Sequence, residues 1–175
     1  MKAGPVVRSL LVIALVLVVQ VSLLDLVTIG GAHPDAMMVL AAAGGYWAGP
    51  ERGARFGFVT GLAIDLLLPT PFGLTALVGC LVGYLTGTAT AGLVRGSRWL
   101  PPVVLAAATA AGISGYAVVG TVLGQSDLVG AYLPAALAVA VPAAVVLALP
   151  ELRLVRWALP APAPSAAAAS TGTSR

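Results

Sequence analysis

Apolar residues in this chain come in long blocks separated by short clusters of polar residues, glycine and proline. The blocks predict six helical spans at about residues 10–27, 34–48, 56–68, 72–94, 100–124 and 129–149. A membrane crossing takes about 20 apolar residues, and most of the blocks approach that length. Pro34 and the Pro101-Pro102 pair suit first helical turns, where a missing N–H costs nothing. Pro134 and Pro142 predict kinks in the sixth span. The third span stops at Pro69 and is only about 20 Å long at 1.5 Å per residue, against a hydrocarbon core of about 30 Å. After the sixth span, Glu151, Arg153, Arg156 and Trp157 predict a short interfacial segment with an aromatic anchor. Residues 160–175 are rich in Ala, Pro, Ser and Thr and predict a disordered tail. The expected organisation is one transmembrane domain over residues 1–159 followed by that tail.

The first span resembles a signal peptide. However, its apolar stretch exceeds the usual h-region of about 7–15 residues, and no small-x-small cleavage site follows. A retained helix is expected.

Charge assigns a direction to the six spans. If both termini lie on one side, that side holds Lys2, Arg8, Arg52, Arg55, Arg95, Arg98, Arg153, Arg156 and Arg175, which is every basic residue. The other side holds Asp25, His33, Asp35 and Asp127. The positive-inside rule then places both termini in the cytoplasm. Five spans would destroy this separation. The composition agrees with a membrane protein: 59% of residues are hydrophobic and 9% charged, where soluble domains carry about 25% charged residues. The formal charge of +3 reflects this topology. The arginines are scattered and lack interleaved aromatics, so no nucleic-acid partner is expected.

Small residues recur inside two adjacent spans. Gly53, Gly57 and Gly61 are spaced by four and lead to Asp65; Gly79, Gly83 and Gly87 repeat the spacing. Such spacing keeps residues on one helix face, and in lipid small-xxx-small faces let backbones approach closely. Spans three and four are therefore expected to pack through these faces. The spacing alone does not separate packing within the chain from packing against a partner.

Asp65 is the residue that most needs an explanation. An ionised Asp at the centre of a membrane helix costs about 2.5–3.5 kcal/mol on insertion scales. Three roles are open to it: capping a helix end or accepting bonds from Thr60, Thr70 or a neighbouring hydroxyl; lining a polar cavity or partner groove; or relaying protons. A relay ordinarily uses several ionisable groups within the membrane, and the predicted spans supply no second one. The Pro69–Gly73 segment that follows is either a tight turn or a re-entrant element covered by protein.

Catalytic signals are missing. His33 is the only histidine and Cys80 the only cysteine, so neither a metal site nor an internal disulfide is expected. There is no Walker loop, His-Glu-x-x-His, Gly-x-Ser-x-Gly or Cys-x-x-Cys. Ser114 beside Gly115 has no intramembrane histidine to activate it. Neither an enzyme nor a bound cofactor is expected.

The run GFVTGLAIDLLLPTPFGLTALVGCLVGYL, residues 57–85, resembles the bacterial rod-shape-determining protein MreD family. In that family a Gly-x-x-x-Asp element ends the third span, and a Pro-x-Gly turn leads into a glycine-bearing fourth. The matching positions are Gly61, Asp65, Pro71 and Gly73. The likeness covers about 30 residues; elsewhere only length and hydropathy agree. It implies a non-enzymatic membrane adaptor of cell-wall elongation. The implied partners are MreC, the MreB filament, RodA and a penicillin-binding transpeptidase. It also implies a fold similar to the six-helix substrate-binding subunits of energy-coupling-factor transporters. The Ala/Pro-rich tail and the short second span depart from the family pattern. On this reading a partner helix docks in a groove lined by the glycine faces and Asp65, and the candidate partner-binding or packing residues are Gly57, Gly61, Asp65, Pro71, Gly73, Gly79, Gly83 and Gly87. The rival reading is a vitamin-binding transporter subunit whose pocket draws on Thr60, Asp65, Thr75, Tyr84, Tyr116 and Thr121.

Overall fold

The computed structural model describes residues 4–24, 26, 28, 31–67, 73–92, 99–122, 124 and 133–160. Among them the regular elements are all helices, so the chain is all-α. They are α1 (Pro5–Val19), α2 (Ala36–Ala48), α3 (Pro50–Asp65), α4 (Leu74–Thr90), α5 (Leu100–Val122) and α6 (Leu133–Ala158). A π-helical turn, Gln20–Leu24, extends α1. Three helical stretches are long and apolar enough to cross a membrane: Pro5–Leu24, Leu100–Val122 and Leu133–Ala158. Helices α2 and α4 are apolar but shorter.

The bundle is organised around α2, one of its shortest members. Every residue of α2 except Trp47 is buried, and α2 touches each of the other five α-helices. A helix that is apolar all round belongs in an interior, and the Ala41-Ala42-Ala43-Gly44-Gly45 run keeps it thin. The exterior has the opposite character. Large apolar side chains such as Val7, Leu10 and Leu15 on α1, Leu81 and Leu85 on α4, Val118 on α5 and Val146 on α6 face outward. An apolar exterior of this extent is stable against lipid and not against water.

Helix α1 starts at Pro5, ahead of the predicted start near Leu10, so Arg8 rides on its first turn; two further boundaries differ from the sequence expectation, each for a local reason. Helix α3 starts at Pro50 rather than Phe56, so Glu51, Arg52 and Arg55 ride on its first turns instead of forming a loop. Gly49, at φ +84°, reverses the chain in one residue. Pro50 then supplies a preset first-turn φ, and Glu51 sits at the favourable positive end of the helix. Helix α6 does not stop near Leu149 but runs through Pro142 and Pro150 to Ala158. Its inner face is continuous across both prolines: Ala136, Ala140, Ala144, Ala148, Leu152 and Val155 are all buried. Packed neighbours allow prolines inside such helices. Pro134 lies in the first turn of α6, where it breaks nothing.

At the start of α2, Asp35 is the N-cap and its Oδ1 accepts from the Met38 amide at 2.9 Å; Pro34 precedes the helix. Residues 93–98 and 125–132, which include the expected end of the fourth span and start of the sixth, together with Lys2, Asp25 and the expected tail beyond Pro160, lie outside the described residues.

Candidate functional site

The glycines of α3 and α4 face each other and are buried. A Cβ placed on Gly57 would collide with the carbonyl oxygen of Gly79, and one on Gly79 would reach the Gly57 oxygen at 2.5 Å. Gly83 and Gly53 stand in the same relation, and a Cβ on Gly61 would lie 2.6 Å from Ala76 Cα. One turn further along, Gly87 packs on Gly49 and Pro50. Helix α2 joins the seam through Gly45, which meets both Gly83 and Gly53, while Gly44 makes room for the Phe56 ring. Three helices thus meet backbone to backbone, where dispersion contacts do the holding that water exclusion does elsewhere. Of the two uses expected for Gly57, Gly61, Gly79, Gly83 and Gly87, partner binding or packing, the geometry within the chain is packing. The chain's own helices fill the space beside these glycines.

The seam positions Asp65. Gly73, the N-cap of α4, has φ +93°, a left-handed conformation that favours glycine. A glycine N-cap carries no side chain to satisfy the first amides of its helix. Asp65, at the end of α3, supplies the missing oxygen. Its Oδ2 accepts from the Gly73 amide and from the Ala76 amide, each at 3.0 Å. This contact exists because Gly61 lets α3 lie directly on Thr75 and Ala76. Gly61, Asp65 and Gly73 thus form one device, a carboxylate from one helix capping the next. Asp65 is 3 % exposed, and among the described residues its Oδ1 is buried without a hydrogen bond. Pro71 and the rest of the Pro-Thr-Pro-Phe stretch lie outside the described residues.

A second buried carboxylate, Glu151, lies just beyond the predicted end of the sixth span. The continuation of α6 through Pro150 carries Glu151 into the bundle, where it is 3 % exposed. Its Oε2 has no hydrogen-bond partner among the described residues. The alanine spacing from Ala136 to Ala148, extended across Pro150, would have revealed that this position faces inward. Asp65 and Glu151 still do not form a pair, because α3 and α6 are not in contact among the described residues.

Gln20 is a second buried polar group whose signal, a single Gln within an apolar block, was available in the sequence. Its Nε2 donates to the Pro34 carbonyl and its Oε1 accepts from the Ala36 amide, both at 2.9 Å. It pins the end of α1 to the start of α2.

The remaining candidates are dispersed. Thr60, Ser114 and Thr121 donate to carbonyls of their own helices, those of Phe56, Ala110 and Ala117. Tyr84 is 46 % exposed on the outer face of α4, whereas Thr60 is fully buried. The polar residues proposed for a vitamin pocket therefore do not face one space. Among the described residues, no group of three or more His, Cys, Asp or Glu side chains could hold a metal ion. No family model, no curated protein and no solved structure matches the chain.

Proposed function

We propose that this chain is a six-span, non-enzymatic adaptor in a bacterial inner membrane, with both termini cytoplasmic. On this reading it belongs to the cell-wall elongation machinery and resembles MreD. It binds an MreC-type single-span protein and links the MreB filament to RodA and a penicillin-binding transpeptidase. The observation that carries the reading is the α3–α4 hairpin. The described residues of the resemblance (Gly61, Asp65, Gly73) are the ones that build its seam and the cap of α4. The segregation of every basic residue to one side supports the topology.

The hairpin's inner face is consumed by packing, so the partner helix meets its outer face. That face presents Phe58, Leu77, Leu81, Tyr84 and Leu85, all exposed. The test is co-purification with the MreC-type partner from a membrane extract. The wild-type chain is expected to retain the partner, and folded Leu81→Trp and Tyr84→Ala variants to recover several-fold less. Failure of the wild-type chain to retain it overturns the adaptor reading. Full retention by both variants removes the outer face from the interface. Saturable binding of a vitamin in detergent would favour the transporter-subunit reading instead.

A further inference from the structure

The ends of α1 and α6 form a cationic cleft that the adaptor reading does not use. It has a volume of about 300 Å³ and is lined by Pro5, Arg8, Arg156, Trp157, Leu159 and their immediate neighbours. The Arg8 guanidinium lies over the Trp157 ring at 5.5 Å, and that of Arg156 over the Trp47 ring at 4.5 Å. The Trp47 indole donates to the Leu159 carbonyl at 3.1 Å, which ties the end of α2 to the wall of the cleft and occupies an acceptor there. No acidic side chain lines the cleft. Among the described residues neither guanidinium pairs with a carboxylate.

We propose that this cleft binds the phosphate of an anionic phospholipid. A guanidinium stacked on an aromatic face keeps its in-plane N–H donors available and has already lost much of its rotamer freedom. Two such groups on one cleft match the paired, charge-assisted recognition that phosphate oxygens favour. The surroundings identify an amphiphile. Both α1 and α6 are among the helices long and apolar enough to cross a membrane, so their ends lie at headgroup depth. Along the face of α1 that continues from Arg8, the exposed side chains of Leu11 and Leu15, three and seven residues on, offer an apolar track on which acyl chains can lie. Pro5, Ala158, Leu159 and Pro160 supply apolar walls.

The test is native mass spectrometry of the full chain in detergent, titrated with phosphatidylglycerol or phosphatidylcholine. The wild-type protein is expected to retain phosphatidylglycerol preferentially. Arg8→Gln and Arg156→Gln should each weaken retention about fivefold, in line with the usual contribution of one basic residue at an anionic surface. Arg153→Gln, outside the cleft, should leave it unchanged. Equal retention by the Arg8→Gln/Arg156→Gln double variant overturns the proposal, as does an equal loss in Arg153→Gln. Arginine-dependent binding of inorganic phosphate without any preference for phosphatidylglycerol would reassign the cleft to a soluble phosphate and overturn the lipid assignment. A second measurement needs no arginine variant. In a Trp99→Phe protein in nanodiscs, brominated phosphatidylglycerol should quench the two remaining tryptophans, Trp47 and Trp157, more strongly than brominated phosphatidylcholine. Equal quenching contradicts the proposal.

Discussion

Helices α2, α3 and α4 hold together differently from α5 and α6. In the first group glycine backbones touch: Gly45, Gly53, Gly57, Gly61, Gly79 and Gly83 each sit where a Cβ would strike a neighbouring backbone. In the second, α6 offers an alanine stripe from Ala136 to Ala148 and directs large side chains outward. Helix α5 contains glycine of both kinds. Gly112 abuts Met38 and Val82, whereas a Cβ on Gly115 would meet nothing within 4 Å. Glycine frequency therefore does not mark a packing face. What marks it is a repeat of glycines on two helices that can be placed in register.

The largest expected effect comes from adding one methyl group to the seam. Gly83→Ala drives a Cβ into the Gly53 carbonyl where three helices meet. Ordinary overpacking costs about 1–3 kcal/mol, and a backbone obstacle cannot move aside as a side chain can. A loss above about 3 kcal/mol is expected, seen as a large fall in the thermal midpoint in detergent or as failure to recover folded protein. Next is Asp65→Leu. Losing a helix cap costs about 0.5–2 kcal/mol, and stranding buried amides adds to it, so about 2–3 kcal/mol is expected. Asp65→Asn keeps an acceptor oxygen and should lose less than half of that. A thermal midpoint equal to wild type in Asp65→Leu would dissolve the capping account.

Gln20→Leu tests the junction between α1 and the central helix. It removes the donor to Pro34 and the acceptor for Ala36, with an expected loss of about 1–2 kcal/mol. The smallest effect should have the opposite sign. Gly115→Ala fills open space within a helix and should stabilise by about 0.5–1 kcal/mol. If it destabilised as much as Gly83→Ala, the distinction between the two groups of helices would fail.

Much of this organisation was legible in the sequence, and the exceptions have physical reasons. The four-residue glycine spacing pointed to the α3–α4 contact because small-residue periodicity survives without knowledge of the fold. Asp65 was recognisable as a carboxylate in need of a partner. Its partners were not, because backbone amides have no letter in a sequence. Pro150 reads as a stop when neighbouring helices are unknown, so the sequence predicts an end near Leu149 where α6 continues to Ala158. For the same reason Glu151 reads as the start of a polar segment. Gln20 and Gly45 act on residues far from them in sequence, and their roles became visible only when α1, α2 and α4 were brought together.

The glycine seam is internal to one chain. Gly57→Ala, purified alone in detergent and followed by thermal unfolding, tests it most directly. The expected midpoint lies well below that of the wild-type chain, is unaffected by protein concentration and is lowered without any partner present. A Gly57→Ala protein that unfolds at the wild-type temperature yet no longer retains its membrane partner would contradict the claim and return the seam to an intermolecular interface.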